Sequence, residues 1–181
     1  MQARRTENCR GRHDGIGLCC VAHRIELLGR QHQRGGFDCG ESSLNDWLAQ
    51  FALQHQRKSY SRTHVLIEEP RPREVLGFHA LTPHEVDSAC FPRVGSLPRR
   101  LPCILLGRLA VDRAQLGKSY GEVLLYDAIE RTRRAMADFG GIGLLADALN
   151  DRAVSFYRQY GFESFRDDPR RLVLLVGSGT G

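Results

Sequence analysis

Six consecutive residues carry the clearest chemistry in the chain: Leu116, Gly117, Lys118, Ser119, Tyr120 and Gly121. They follow an apolar run, Ile104 to Val111, of the right length for a buried strand. They precede a stretch from Gly121 to Met136 in which Val123, Leu124, Ala128, Ile129 and Met136 recur at helical spacing between Arg and Glu. A strand that feeds a short Gly/Ser loop, which in turn opens a helix, leaves backbone N–H groups free at the helix start. Together with the helix dipole they make an anion site. Lys118 adds a mobile positive charge, and Gly121 lets a ligand approach the backbone with no Cβ in the way. The loop matches neither the P-loop nor the G-x-G-x-x-G pattern, which argues against those two kinds of nucleotide site. The same strand–loop–helix pattern also serves as a plain turn, so local chemistry alone leaves both readings open.

The elements that must hold this loop fit one domain. The chain has 181 residues, 41% hydrophobic and 26% charged, as in a soluble globular protein. No apolar run approaches the ~18–20 residues that span a bilayer, so no membrane role is expected. Arg4, Arg5, Arg10 and Arg12 precede only a short apolar stretch broken by Gly17, a poor match to a signal peptide. The net charge of +5 favours an anionic partner: RNA, DNA, an acidic protein or a phosphorylated cofactor. A solvated basic surface would give the same balance. None of the six cysteines forms a C-x-x-C pair, and Cys19 and Cys20 are adjacent. No metal site or disulfide framework is expected, and the thiols read as those of a reduced, cytoplasmic protein.

Along the chain, residues 1–22 read as a disordered extension, 23–176 as the folded domain and 177–181 as a flexible tail. A short strand covers His23 to Leu28. After a polar loop to Gly36, a helix capped by Ser42 or Ser43 places Leu44, Trp47, Leu48, Phe51 and Ala52 on one apolar face. Thr63–Glu68 and Val75–Leu81 read as an antiparallel hairpin around Pro70 and Pro72. His64 and His79 fall within it and read as packed or solvated rather than catalytic. Thr82 to Cys103, with Pro83, Pro92, Pro98 and Pro102, reads as a long irregular loop that could form a wall of a site. After the central helix come a strand at Ile142–Ala148, a helix capped by Asn150 and closed by Gly161, and short strands at Phe162–Phe165 and Leu172–Val176.

This order is α+β, a mixed central sheet flanked by helices, and its motifs resemble the GNAT (Gcn5-related N-acetyltransferase) superfamily. LGRLAVDRAQLGKSYGEVLLYDAIERT is similar to that superfamily's acetyl-CoA strand, pyrophosphate loop and helix. ADALNDRAVSFYRQYGFE is similar to the segment ending in its F-Y-x-x-x-G-F signature. FDCGESSLNDWLAQFALQHQ, LLGRLAVDR and DDPRRLVLLV resemble one branch more closely, the tRNA-acetylating toxins of type II toxin–antitoxin systems.

The resemblance implies a GNAT fold with a splayed strand pair, and acetyl-CoA as co-substrate. Leu109, Ala110 and Val111 would take the pantetheine arm. Leu116, Gly117, Lys118, Ser119, Tyr120 and Gly121 would take the pyrophosphate, and Asn150 would contact the cofactor. Tyr157 matches the tyrosine near the thioester sulfur, where a phenol donates a proton to the leaving thiolate or holds the sulfur. The implied acceptor is the α-amine of aminoacyl-tRNA, with translation blocked as the outcome. Arg57, Lys58, Arg93, Arg99 and Arg100 are the candidate RNA contacts. A toxin of this kind implies a ribbon-helix-helix antitoxin and often a homodimer.

The loop departs from the family pattern Q/R-x-x-G-x-G/A. Gln115 stands one place early, and Ser119 stands where a glycine is usual, so a left-handed backbone there would be strained. Two other readings follow: an N-acetyltransferase for a small-molecule or protein amine, and a catalytically weakened GNAT-fold binding module.

Overall fold

The computed structural model describes residues 22–69, 71–92 and 98–176. The expected N-terminal extension up to residue 21, the tail at 177–181 and Arg93 lie outside them. Seven strands form one sheet in the order β1-β2-β3-β4-β5-β7-β6: β1 (His23–Leu27), β2 (Arg62–Glu68), β3 (Gly77–Asp87), β4 (Arg100–Val111), β5 (Gly143–Asp147), β6 (Glu163–Ser164) and β7 (Arg171–Leu175). Every described pairing is antiparallel except β4 with β5. That parallel pair needs a crossover, and α3 (Tyr120–Phe139) supplies it.

The helices divide between the two faces according to the alternation of side chains along each strand. On one face α3 and α4 (Asp151–Gln159) bury Leu125, Ala128, Ile129, Val154 and Tyr157 against Leu81, Leu106, Leu144, Ala146 and Leu172. On the other, α1 (Ser42–Asp46) and α2 (Ala52–Arg57) bury Trp47, Leu48 and Ala52 against Val65, Ile67, Phe78, Ala80 and Ala110. A second cluster on this same face gathers Val86, Phe91, Leu101, Cys103, Leu145, Phe165 and Val173.

Four expectations need correction. Thr82 to Cys103 is not one irregular loop: β3 continues to Asp87 and β4 already begins at Arg100. Pro83 and Pro102 lie inside these strands, opposite Ile104 and Glu85. β2 reaches β3 only as far as Leu81, and β5 reaches β4 only from Ile104. Each proline therefore sits where its strand has one sheet neighbour, and a missing N–H on the open side breaks no ladder bond.

The first helix is not uniform, because Trp47–Phe51 is a π turn between α1 and α2. The wider turn rotates Phe51 out of the expected stripe, leaving it 44% exposed while Trp47 and Leu48 stay buried. Arg34 donates to the Ala49 carbonyl of this turn (2.6 Å). Neither Ser42 nor Ser43 caps the helix. Glu41 is its N-cap and makes no side-chain cap bond. In α3 the inward stripe is Tyr120, Leu124, Leu125, Ala128, Ile129 and Thr132, and Val123 is exposed.

Candidate active site

β4 and β5 pair only over Ile104–Leu106 and Leu144–Ala146 and then part. β3 keeps its register with β4 up to Val111, but skips one residue: Ala80 faces Arg108, Leu81 faces Leu106, and Gly107 is left over as a bulge. The bulge falls where the fork opens. Beyond it, Leu109, Ala110 and Val111 bond to β3 on one side and have no β5 partner on the other. Their backbone can receive an extended ligand as an added strand. Gly107 is exposed although β4 is the fourth of seven strands, and a Cβ built there meets nothing within 4 Å.

At the outer mouth of the fork stands the loop singled out from the sequence. Gly117 has φ +81° and Ser119 φ +55°. Ser119 is the N-cap of α3, and its side chain makes no cap bond. Among the described residues, the N–H groups of Gly117, Lys118, Ser119, Tyr120 and Gly121 have no backbone acceptor, while Glu122 and Val123 donate to the Ser119 carbonyl. A depression of about 300 Å³ beside them is lined by Val111, Gln115, Gly117, Gly121 and Phe156, among others. A Cβ on Gly121 would come 3.8 Å from the Phe156 ring, so glycine there keeps the depression open without being needed for the backbone itself.

Gln115 is buried. Lys118 Nζ donates to its Oε1 (2.8 Å) and lies 5.8 Å from the Tyr120 ring centroid. The lysine is thus held over the loop. Tyr120, by contrast, is turned inward, its Oη 2.5 Å from His23 Nε2. What it offers to the loop is its N–H and not its phenol. Leu116 is 64% exposed.

The loop accommodates the departures from the family pattern at a conformational cost. Serine in the left-handed region is disfavoured relative to glycine. Ser119→Gly is expected to raise stability by about 0.5–1 kcal/mol and to tighten acetyl-CoA binding modestly. Thermal melts and titration read both effects, and a destabilised variant would contradict this account of the turn.

Tyr157 is placed by the local chemistry of its own motif. Asn150 Oδ1 accepts from Ala153 N–H (3.0 Å) and starts α4, so that atom is committed to the cap. Gly161, at φ +86°, ends the helix. Its N–H donates to the Arg158 carbonyl (3.1 Å), and the Phe162 N–H donates back to the Tyr157 carbonyl (3.3 Å). This reversal lays Phe162 on the Tyr157 ring, with centroids 5.2 Å apart. The tyrosine packs with Leu106 and Ala146, the last paired residues before the fork. Its hydroxyl has no hydrogen-bond partner among the described residues. Burial, with a smaller push from Asp147, raises its pKa well above the ordinary value, so Oη keeps its proton.

The loop before α1 is tied to the end of β4. Asp38 N–H donates to Asp112 Oδ2 (3.0 Å), Arg113 N–H donates to the Asp38 carbonyl (2.8 Å), and the Arg113 guanidinium pairs with the Asp38 carboxylate (3.0 Å). Asn45 Nδ2 also donates to Asp38 Oδ1 (2.9 Å). Hydrogen bonds, first from Gly40 N–H and then from Asn45, hold the Asp38 carboxyl below its ordinary pKa. FDCG and LAVDR, far apart in sequence, therefore form one junction.

The candidate RNA contacts do not gather here. Arg99 and Arg100 pair with Asp87 (3.8 Å) and Glu85 (2.6 Å) at the end of β4 opposite the loop. Arg57 and Lys58 lie at the end of α2, with Lys58 Nζ 5.9 Å from the Tyr60 ring centroid.

His64 and His79 are both buried, away from the loop. His79 Nε2 donates to Asp127 Oδ2 (2.7 Å), which also takes Arg131 (2.6 Å), and the two imidazoles stack with centroids 5.1 Å apart. Burial first, then the Arg131, His79 and Arg62 charges, pull His64 down from 6.5 to about 3, and Asp127 opposes them. A depressed folded value means that the unfolded chain takes up this proton first. The stability His64 contributes above its unfolded pKa is lost as pH falls toward 3. His64→Phe keeps a ring on His79 and removes this titration. The fall in Tm between pH 7 and 4 should be smaller in the variant, and an equal fall would contradict the assignment.

An anion loop at a helix start, an open parallel fork and a buried protonated phenol beside it define an acyl-transfer site of the acetyltransferase kind. The chain belongs to the Acetyltransferase (GNAT) family, whose model matches residues 26–162. It is 41% identical over 142 residues to a tRNA-acetylating toxin of Mycobacterium tuberculosis, covering 77% of this chain and 84% of that one. The structure of AtaT complexed with acetyl-methionyl-tRNAfMet superposes with a TM-score of 0.78 at 28% identity, over 84% of this chain and 94% of that one. A mutant AtaT toxin bound to the C-terminus of the antitoxin AtaR and acetyl-CoA gives 0.72 at 29% identity, over 85% and 93%.

The residues present suit acetyl-CoA. Free N–H groups and Lys118 would meet its phosphates, and the unpaired edge of Leu109–Val111 would meet its amide arm.

Sequence reasoning missed Gly107, Gln115 and Phe156. A glycine inside an apolar strand is itself a bulge signal and could have marked the fork. Gln115 adjoins the loop in sequence, but its burial and its bond to Lys118 come with the fold, as does the approach of Phe156.

Proposed function

We propose that this protein is the toxin of a toxin–antitoxin pair and acetylates the α-amino group of aminoacyl-tRNA, so that the charged tRNA no longer serves translation. The observation that carries the reading is the two-sided fork. Its loop of free N–H groups opens toward α3 and α4. On its opposite face β4 runs from the Phe91–Phe165 cluster, which takes Leu101 and Cys103, to the Trp47–Phe78 cluster, which takes Ala110. Donor and acceptor can then meet at Gly107 from opposite faces. The 41% identity to a tRNA-acetylating toxin supports the acceptor class.

Acetyl-CoA supplies an activated acetyl thioester. The residues of this chain do the rest. Leu109–Val111 fix the arm, the bulge at Gly107 leaves the attack path open, and Tyr157 Oη delivers a proton to the departing sulfur while the acylated nitrogen releases one to water, from which the phenol is restored. The α-amine of an aminoacyl ester is a weaker base than an ordinary amine, so attack needs no strong protein base. A ribbon-helix-helix antitoxin as the neutralising partner, a homodimeric assembly and action in the cytoplasm belong to the same reading.

A translation extract tests it. Protein synthesis stops when the protein and acetyl-CoA are both supplied and continues when either is left out. Arrest without acetyl-CoA, or none with it, overturns the proposal.

A further inference from the structure

Arg108 is the first residue after the bulge, and it faces the acceptor side of β4. Its guanidinium lies 4.2 Å from the centroid of the Trp47 ring. It is half-buried in a central strand and has no carboxylate partner among the described residues. Burial alone pulls its pKa below the ordinary arginine value. A partly desolvated charge without a counter-ion is unusual, because taking it from water is costly unless an anion compensates. Of the other arginines around the site, Arg113 holds Asp38, and Arg34 donates to the Ala49 carbonyl through one terminal nitrogen while its buried Nε has no partner among the described residues.

Trp47 explains the posture. An indole face supports a planar guanidinium and leaves its N–H edge free for a bidentate acceptor. The indole is itself held by Phe78, stacked at 5.9 Å, within the π turn that breaks the first helix. The pyrophosphate of acetyl-CoA is assigned in this reading to the loop before α3, which follows the Val111 end of β4 and opens beside Phe156 of α4, toward the other face. An anion at Arg108 must arrive with the acceptor.

We infer that Arg108, stacked on Trp47, binds a phosphodiester at the 3′ end of the acceptor nucleic acid and so positions the aminoacyl amine over the fork. The inference rests on the aminoacyl-tRNA reading and adds to it the residue that grips the acceptor. A phosphodiester suits a guanidinium fork better than a neutral ester would, since its two non-bridging oxygens accept in parallel and share a full charge.

The test compares two acceptors, aminoacyl-tRNA and a phosphate-free 3′-O-aminoacyl-adenosine. Arg108→Met keeps the stem over Trp47 and removes the charge, and Arg108→Lys keeps the charge and removes the fork. Melting curves and acetyl-CoA titration establish that each variant is folded. The expected result is a rise in KM for aminoacyl-tRNA of about tenfold or more in Arg108→Met with kcat little changed, and partial recovery in Arg108→Lys. The salt dependence for tRNA should weaken by about one phosphate contact. Rates with the phosphate-free ester should match the wild type. Equal losses on both acceptors, or no loss on either, overturn the inference. If wild-type protein acetylates no aminoacyl-tRNA, the reading of function itself fails, which is a separate and visible outcome.

Discussion

Tyr157→Phe is expected to lower acetyl transfer by about 10²–10⁴-fold and to leave acetyl-CoA affinity and thermal stability nearly unchanged. The separation of the two effects comes from the structure. The ring is held by Phe162 and Phe156, with centroids 5.2 and 5.4 Å away, and phenylalanine keeps both contacts. The hydroxyl has no hydrogen-bond partner among the described residues, so its removal strands no buried polar group there. What is lost is the proton that burial keeps on Oη at neutral pH. Without it the sulfur must depart as a bare thiolate or find a proton from water. Titration calorimetry and steady-state rates on the same preparation separate binding from turnover. A variant with wild-type turnover would remove Tyr157 from the chemistry and leave it a packing residue.

Gly107→Val should abolish transfer and still give a folded protein. A Cβ at this position meets nothing within 4 Å, and φ there is not in the left-handed region, so the chain tolerates a side chain. Valine also suits a strand better than glycine does. The open space is the reason for the loss, since it lies where β5 leaves β4 and where the bulge turns the backbone. A branched side chain there fills the passage between the two faces. Melting temperature and circular dichroism should match the wild type while activity falls to background. Retained activity would mean that acceptor and donor do not meet at this point. A collapsed melting temperature would mean that the bulge itself needs glycine.

Most of the architecture was legible where local chemistry decided it. The apolar run before the loop, the Asn150 cap and the Gly161 reversal are set by residues close in sequence, and each is found in place, as are Leu124, Ala128 and Ile129 of the α3 stripe. The F-Y-x-x-x-G-F phrase now has a physical reason. The glycine permits the turn that lays Phe162 on Tyr157, and that turn fixes the phenol.

The misjudged parts depended on distant neighbours. Pro83 and Pro102 argue locally against a strand, yet both are harmless on a side with no partner, which only the lengths of β2 and β5 reveal. Phe51 fits a regular helical stripe, and a π turn moves it outward. The helical stripe of the sequence places Trp47 in the core. It is buried, but it also carries Arg108, a pairing that becomes visible only when α1 and β4 are packed together. Among the basic residues, raw count was a poor guide. Arg99 and Arg100 are answered by carboxylates of β3, whereas Arg108, half-buried and without a carboxylate partner among the described residues, lies inside the apolar phrase LLGRLAVDR.

The measurement that tests the central claim most directly is transfer of labelled acetyl from acetyl-CoA to total tRNA, charged and uncharged, by the purified protein. The account predicts label on charged tRNA only, released by mild alkali as an N-acetyl-amino acid, and abolished by Tyr157→Phe. Label on uncharged tRNA, or none on charged tRNA while acetyl-CoA binds, would contradict it.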